Sequence, residues 1–242
     1  MTAERTRWQK LFSLSGVVPL GAFLLLHLWT AAALLGSHAV YDRQVSFLHG
    51  GPVLGFLEIV LVLVPLLFHA LYGVWSALQP RNATPHAYDS DLLFALERVS
   101  GVIVLVFVLA HLWETRVQTW TGGLLVGSYS TKLVADLSSL TFGVPWIALG
   151  YVLGIAATVF HLVNGLTSFS ITWGYTPTLP SQRRARLVFR AIGVLLVLTG
   201  TATVVQLATG ARFFAPPHGD VPAAACGPTA SAAPSPVPSA SH

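Results

Sequence analysis

The sequence predicts an all-α integral membrane protein, a bundle of five transmembrane helices. Its 242 residues are 54% hydrophobic and 9% charged, and its mean hydropathy is +0.69. That composition indicates a membrane protein and argues against a soluble domain. No charged residue occurs between Asp136 and Arg183. At about 1.5 Å per residue, such a stretch is long enough to cross the hydrocarbon layer as a helix.

Five apolar segments define the predicted spans. They cover residues 11–35, 52–78, 92–120, 141–174 and 187–210. Each segment has the length that a transmembrane helix requires, and tryptophans cluster near the segment ends, as in an interfacial belt. No convincing cleavage site follows the first segment, so we expect it to be retained as a helix and not removed as a signal peptide.

The distribution of positive charge predicts the orientation. Nine of the thirteen Lys and Arg residues lie at the amino terminus, around the connection between the second and third spans, or between the fourth and fifth spans. Because positive residues are retained in the cytoplasm, we expect a cytoplasmic amino terminus and, after five crossings, an external carboxyl terminus. The net charge of +4 therefore reflects topology, and we expect no nucleic-acid partner.

Composition also divides the chain into two regions. Residues 1–214 are predicted to form the membrane bundle. From Ala215 onward the chain is rich in Pro, Ala and Ser, so residues 215–242 are predicted to be a disordered tail. The single cysteine, Cys226, lies in this tail, which excludes a disulfide within the chain and a cysteine-ligated cluster.

Four of the nine histidines fall inside predicted spans, one in each of the first four. His27 and His111 come late in spans that start at the cytoplasmic side, so both lie roughly 24 to 29 Å up, toward the outer face. His69 and His161 come late in spans that run the other way, so both lie roughly 26 to 30 Å down, toward the cytoplasm. Helix counting thus predicts an outer pair, His27 with His111, and an inner pair, His69 with His161.

Two histidines that face each other across a helical bundle at one level can ligate a haem iron from both sides. A single buried histidine is more often a hydrogen-bonded core residue, but four at two matched levels favour two six-coordinate b haems and electron transfer. A zinc site would need its ligands gathered at one point. A transporter with a histidine proton relay would be expected to show interrupted helices or internal repeats, and neither is visible in the sequence.

Two charged residues are candidates for binding a cofactor. Arg98 lies about 20 Å below His111, at the inner level. There its charge would neutralise a haem propionate. The alternatives are that Arg98 only sets the orientation of the span in the membrane, or that it bonds to Glu97. Glu58 is the only acidic residue well inside an apolar segment, and it lies at the outer level. It is a candidate for proton handling, with a hydrogen-bonded structural role as the alternative.

Small polar residues open the first span at its cytoplasmic end. Ser13, together with Ser15 and Gly16, is a candidate for lining a quinone pocket. The alternative is that these serines cap the start of the helix, which is the commoner role of serine at such a position.

Five motifs together resemble a known family. They are 11–16 (Leu-Phe-Ser-Leu-Ser-Gly), 69–74 (His-Ala-Leu-Tyr-Gly-Val), 98–101 (Arg-Val-Ser-Gly), 111–116 (His-Leu-Trp-Glu-Thr-Arg) and the run 161–174 that ends in Trp-Gly. On these motifs the chain resembles, over most of its length, the dihaem cytochrome b membrane anchor of succinate:menaquinone oxidoreductases and fumarate reductases. The type in question is the single-subunit anchor with five helices.

The resemblance implies cofactors and partners. In that family the histidines of the first and third helices bind a distal haem b, and those of the second and fourth bind a proximal one. It also implies a flavoprotein subunit and an iron–sulfur subunit on the cytoplasmic face, with menaquinone as the electron acceptor in the cell membrane. One branch of the family has a glutamate two residues before the fourth histidine, but here that residue is Val159, so its proton pathway is not expected. Whether the complex forms a higher oligomer stays open.

One alternative shares the same chemistry. The cytochrome b anchor of a hydrogenase or a formate dehydrogenase would also hold haem between histidines. Those anchors place their ligands differently along the helices, and the run 164–174 argues against them.

Overall fold

A computed structural model describes residues 3–49, 51–79, 91–122, 129–211 and 213. Within these ranges five helical segments are long and apolar enough to cross a membrane, and they are numbered as the first to fifth spans. Their bounds are Arg7–Leu35, Pro52–Leu78, Leu92–Trp120, Trp146–Thr172 and Leu179–Thr209. The predicted all-α membrane bundle of five helices is confirmed. The predicted tail, with Cys226, lies outside the described residues, so the division at residue 214 stays a prediction.

The fifth span begins at Leu179, earlier than the predicted start at residue 187. Thr178 and Ser181 form a capping box, in which each side chain bonds the backbone N–H of the other residue. Pro180 lies in the first turn, where its missing N–H costs nothing. The predicted start was wrong because the arginines that follow were assigned to a connection, whereas they lie on the first turns of this helix.

The fourth span begins at Trp146 and not at residue 141. Before it, Thr141 and Val144 exchange two backbone hydrogen bonds of 3.0 and 3.2 Å and close a tight turn. Gly143 in this turn has a φ of 76°, a left-handed conformation that no α-helix contains. Apolar composition alone could not separate the turn from the helix.

Two predicted connections contain short helices, His38–His49 and Tyr129–Leu137. Asp42 of the first helix accepts hydrogen bonds from Ser130 in the second, from the backbone N–H at 2.9 Å and from the hydroxyl at 2.5 Å. The carboxylate therefore lies at a helix amino terminus, where unpaired N–H groups favour an anion. Because each helix joins an outgoing span to a returning one, both lie on the same side of the bundle, the predicted outer side.

Three spans contain a widened π turn, at Gly16–Gly21, Ile59–Leu63 and Trp113–Val117. The first contains Pro19, and the second ends at Leu63, two residues before Pro65. Proline lacks an N–H and its ring clashes with the carbonyl four residues earlier, and a widened turn relieves both problems. The helices thus continue across these prolines.

The first four spans form a closed ring. Each packs against the next, and the fourth packs against the first, while the fifth lies behind the fourth and first spans. Glycine permits the closest approach between the fourth and fifth spans. A Cβ atom at Gly193 would lie 2.7 Å from Val163, and one at Gly200 would lie 2.9 Å from Ile155. The four spans that carry the intramembrane histidines therefore enclose one common interior.

Candidate functional site

The histidine rings of the first four spans lie in two pairs. The ring centroids of His27 and His111 are 5.6 Å apart, and those of His69 and His161 are 6.3 Å apart. Within each pair the ring planes are nearly perpendicular, at 76° and 85°. The structure thus brings together the residues that helix counting paired, and their role as metal ligands stays a prediction.

The separation within each pair fits one iron between two imidazoles. An imidazole nitrogen binds a first-row transition metal at about 2 Å, so imidazoles on opposite sides of one ion have centroids about 6 Å apart. Both observed separations are close to that value. In the part of the chain that the structure describes, no three His, Cys, Asp or Glu side chains gather as a metal site. A tetrahedral zinc site is therefore not assembled there.

The ring of His69 is held by residues of the first span. Its Nδ1 lies 3.3 Å from both the Ser15 hydroxyl and the Phe12 carbonyl oxygen. Because these oxygens accept an N–H, they place the proton on Nδ1 and leave Nε2 for a metal. The Phe12 ring stacks on the imidazole with centroids 4.4 Å apart. Gly16 is so close that a Cβ atom there would lie 2.5 Å from the histidine Cε1.

The ring of His161 is held by residues of the third span in the same way. Its Nδ1 lies 3.3 Å from both the Ser100 hydroxyl and the Glu97 carbonyl oxygen. The Glu97 carboxylate adds a third oxygen, Oε1, at 3.2 Å. A Cβ atom at Gly101 would lie 3.2 Å from the histidine Cε1. This ring too is oriented to leave Nε2 for a metal.

The first and third spans therefore repeat one local pattern around the inner pair. Ser15-Gly16 and Ser100-Gly101 are equivalent, and each serine hydroxyl donates to the carbonyl three residues earlier, at 2.8 and 2.9 Å. Sequence reasoning noted these glycines and serines separately and did not recognise the repeat. The signal was the shared dipeptide Ser-Gly.

The number of residues between the Ser-Gly pair and the outer histidine differs by one between the first and third spans. His27 follows Gly16 by 11 positions, whereas His111 follows Gly101 by 10. The π turn at Gly16–Gly21 accounts for the difference, because such a turn inserts one residue into an α-helix. Both spans therefore present the outer histidine in an equivalent position.

Aromatic rings support the outer pair from within the same helices. Phe23 precedes His27 by four residues and stacks on it, with centroids 5.6 Å apart. Phe107 precedes His111 by four residues and stacks on it at 5.8 Å. Residues four apart share a helix face, so each phenylalanine covers the imidazole on the same side. The repeat of the two spans thus extends to the outer level.

A hydrogen-bonded chain connects His111 to the outer end of the bundle. Its Nδ1 lies 3.2 Å from the Tyr151 hydroxyl, which donates to Glu114 at 3.4 Å. Glu114 and Tyr151 line a small cavity together with Lys132 and Asp136, an ion pair of the Tyr129–Leu137 helix. The oxygen of Tyr151 places the proton of His111 on Nδ1 and leaves Nε2 for a metal.

A comparison with known proteins decides the family. The chain is 34% identical over 198 residues to the succinate dehydrogenase cytochrome b558 subunit of Bacillus subtilis strain 168. The matched part covers 81% of this chain and 94% of that protein. The chain belongs to the family of succinate dehydrogenase cytochrome b subunits. Neither a family model nor a solved structure matches it.

Family membership confirms the resemblance that the motifs indicated. A multi-pass location in the membrane is also confirmed, since a cytochrome b subunit of succinate dehydrogenase is a membrane protein and this one has five spans. The transporter and the anchors of a hydrogenase or formate dehydrogenase are accordingly set aside.

Glu58 of this cytochrome b subunit forms an ion pair with Arg116. Arg116 is only 9% exposed and its guanidinium also lies over the Trp120 ring, 5.0 Å from the centroid. The pair joins the second and third spans at the outer level. This contact favours the structural role that the sequence left open for Glu58, and its binding of a cofactor stays a prediction.

Ser13 and Arg98 occupy equivalent positions in the repeat, each two residues before the serine that contacts a histidine. Ser13 accepts a hydrogen bond of 3.1 Å from the Trp173 indole N–H. Capping by Ser13 was a wrong alternative, because the helix already begins at Ala3. Arg98 lies over the Phe94 ring, 4.4 Å from its centroid, rather than on the Glu97 carboxylate.

The His38–His49 helix brings a further histidine to the outer end. Burial lowers the pKa of His49 to about 4, helped by the nearby positive charge of Arg116 and opposed by a hydrogen bond to Val45. The His49 ring contacts the Tyr129 ring at 5.7 Å between centroids. Sequence reasoning missed His49 because counting depth along a helix works only inside a span.

Several buried polar atoms in this outer region lack a hydrogen-bond partner within the described structure. They are Gln44 Oε1, Arg116 Nε and Tyr129 OH. Buried polar atoms in native proteins are nearly always paired, so these atoms need a partner that the described residues do not supply, such as an ordered water or a polar group of a ligand.

Proposed function

We propose that this cytochrome b subunit holds two b haems, one between His27 and His111 and one between His69 and His161. The observation that carries the proposal is the two facing imidazole pairs, each at a separation that fits a single iron. Haem b supplies one-electron chemistry, and two histidine ligands leave no open position for oxygen. Electron transfer is therefore the function that such sites support.

Side chains of this chain keep the imidazoles in the ligating tautomer. Ser15, Ser100 and Tyr151 each place an oxygen against Nδ1 of one histidine, as described above. At the outer end, the unpaired Arg116 Nε and Tyr129 hydroxyl suit the carboxylate of a haem propionate. The residues present thus fit the group that the family name implies.

The proposed partners are a flavoprotein and an iron–sulfur subunit on the cytoplasmic face. The start of the first span and the end of the fourth lie together, since Lys10 lies over the Trp173 ring. The exposed Arg7, Arg183 and Arg184 belong to this same end. A positive surface there supports a cytoplasmic amino terminus, an external carboxyl terminus and a docking face for an electron-donating subunit.

We further propose the direction in which electrons pass. The inner pair lies nearer the cytoplasmic end, so it is placed to receive electrons that originate from succinate. The outer pair would deliver them to menaquinone. Arg98, at the inner level, would hold a propionate, Ser13 would contact a quinone at the cytoplasmic end, and Glu58 would support the outer site through Arg116.

Reduced-minus-oxidised spectra and a haem count on the purified complex test the proposal. We expect two b haems for each copy of this chain. His161→Ala should remove the inner haem and leave the outer one, whereas His111→Ala should do the reverse. A preparation of the whole complex without a b-type α band, or loss of neither haem in both variants, would overturn the assignment.

A further inference from the structure

One face of the fifth span carries exposed arginines near its start and exposed apolar side chains beyond them. Arg183, Leu187, Arg190, Val194 and Leu198 follow one another at intervals of three or four residues, so they form one row along the helix. All five are exposed, the three apolar ones by 72%, 57% and 62% in chain order. We call them the exposed row. Sequence reasoning missed it because Arg183 was assigned to a connection.

The arginines of the exposed row have no acidic partner close to them in the chain. The fourth and fifth spans contain neither Asp nor Glu. Among the described residues, neither Arg183 nor Arg190 takes part in an ion pair. Arg186 lies one turn from each of them, and like charges one turn apart on a helix repel each other. An anion from outside the chain would therefore stabilise this end of the helix.

The depth of the row places its arginines near the inner boundary of the hydrocarbon. At the other end of the span, Gln206 donates a hydrogen bond of 2.9 Å to the Leu34 carbonyl, which marks the outer end of the first span. Arg190 precedes Gln206 by 16 residues and Arg183 precedes it by 23, about 24 and 34 Å along the helix. The hydrocarbon core is about 30 Å thick, and long arginine side chains extend toward the headgroups. Both guanidinium groups therefore reach the level of the phospholipid headgroups.

We propose that Arg183 and Arg190 bind the phosphate of an anionic phospholipid of the inner leaflet, whose acyl chains lie along Val194 and Leu198. A guanidinium group matches the geometry of a phosphate and binds it through two parallel hydrogen bonds. The apolar members of the row supply a surface for the chains. One lipid molecule thus satisfies both the charged and the apolar part of the row. The inference goes beyond the proposed electron transfer and does not depend on the haems.

Depth distinguishes a lipid from a docked protein. The positive surface proposed above for the electron-donating subunit includes Arg183, but Arg190 lies about 10 Å further toward the membrane interior. A water-soluble subunit on that surface would reach Arg183 and leave Arg190 and the apolar residues beyond it to the lipid. Free phosphate would gain nothing from Val194 and Leu198. The row as a whole therefore fits a lipid.

Native mass spectrometry of the purified, delipidated complex tests the inference. The probes are phosphatidylglycerol, which is anionic, and phosphatidylcholine with the same acyl chains. A basic side chain at the membrane surface is worth about fivefold in affinity for an anionic lipid, so two should give phosphatidylglycerol an advantage of about 25-fold for the first lipid bound. Arg183→Gln and Arg190→Gln should each reduce this preference about fivefold, and the double variant should abolish it.

The matched control is Arg43→Gln, which removes an exposed arginine from the His38–His49 helix on the predicted outer side. It should leave the lipid preference unchanged. Arg190→Lys keeps the charge and should retain most of the preference. Loss of the preference in Arg190→Lys as well as in Arg190→Gln would show that the side chain acts through the fold, which would contradict the proposed electrostatic contact.

Three other results would overturn the inference. One is equal affinity of the parent complex for the two lipids, which would also be the result if a docked subunit covered the row. Another is an unchanged preference in the double variant. The third is displacement of bound phosphatidylglycerol by inorganic phosphate, which would make the row a site for a free anion.

Discussion

Ser15 and Ser100 make the same contacts in two different spans. Each hydroxyl donates to the carbonyl oxygen three residues earlier, and each lies 3.3 Å from the Nδ1 of one inner histidine. His69 and His161 are therefore oriented by the same serine–carbonyl arrangement, which occurs once in the first span and once in the third. Equivalent substitutions can for that reason be compared on the two sides.

Replacing either serine with alanine should weaken haem binding at the inner site to a similar extent. Loss of the residue that orients a metal-bound histidine typically costs roughly 10- to 100-fold in affinity. Haem content of the purified Ser15→Ala and Ser100→Ala complexes should fall toward one haem per chain under washing that leaves the parent complex with two. Ser138→Ala, which removes a hydroxyl bonded only within its own short helix region, is the control. Full haem content in both variants would contradict the orienting role.

The glycines beside the inner histidines should not tolerate a methyl group. In Gly16→Ala the new Cβ would lie 2.5 Å from His69 Cε1, so the ring or the helix must shift. Overpacking of this kind typically costs about 1–3 kcal/mol, and here it also displaces His69, the proposed haem ligand. Gly101→Ala, at 3.2 Å from His161, should have a milder effect.

Absorbance of the inner haem measures this effect. Gly165→Ala serves as the matched control, because nothing lies within 4 Å of a Cβ atom there. Equal loss of haem in the Gly165 and Gly16 variants would show that close contact with the ring is not the reason.

Removing Arg116 should destabilise the bundle strongly. The single change Arg116→Ala leaves Glu58 in the interior without its partner, which typically costs about 3–5 kcal/mol. The double change Glu58→Leu with Arg116→Met should recover much of the loss, since it leaves no unpaired charge. Thermal unfolding in detergent gives both values.

A more exposed ion pair provides the comparison. Lys132 and Asp136 are paired one turn apart in the Tyr129–Leu137 helix and are about a third exposed. Lys132→Ala should cost less than about 1 kcal/mol. A double variant at the Glu58–Arg116 pair that is less stable than Arg116→Ala would contradict the importance of the unpaired charge.

Stability should depend on pH through His49. Burial lowers the pKa of His49 from 6.5 to about 4. Between these values the unfolded chain binds a proton that the folded chain does not, so stability falls as pH drops from about 6.5 toward 4. The unfolding temperature of the parent protein should therefore fall more between pH 7 and pH 5 than that of His49→Gln. Parallel curves for the two proteins would rule out this contribution.

The spans and the level of each histidine were accessible from sequence because both depend on counting residues along a helix. A π turn shifts that count by only one residue, about 1.5 Å along the axis, which leaves the two levels distinct. The pairing of His27 with His111 and of His69 with His161 therefore survived the two such turns, Gly16–Gly21 and Ile59–Leu63, that precede a histidine in its span.

Contacts between spans were not accessible in the same way. Arg116 was counted as a charge near the outer end of the third span, and nothing in its neighbours indicated that it would meet Glu58. The Glu97 carboxylate was considered only as a partner for Arg98, because adjacent residues are easy to compare. Its actual neighbour, His161, is 64 positions away, and only the packing of the third span against the fourth brings them together.

The π turn that contains Pro19 determines which residues of the first span face the interior of the bundle. Successive helix residues advance by about 100°, so without the extra residue at Gly16–Gly21 one face of this helix would swing by roughly a quarter turn. Either Gly16 would leave His69 or His27 would point into lipid. The backbone around Pro19 thus sets the position of His27 relative to Gly16, and deleting one residue there would separate the two histidine levels without changing any of the four histidines.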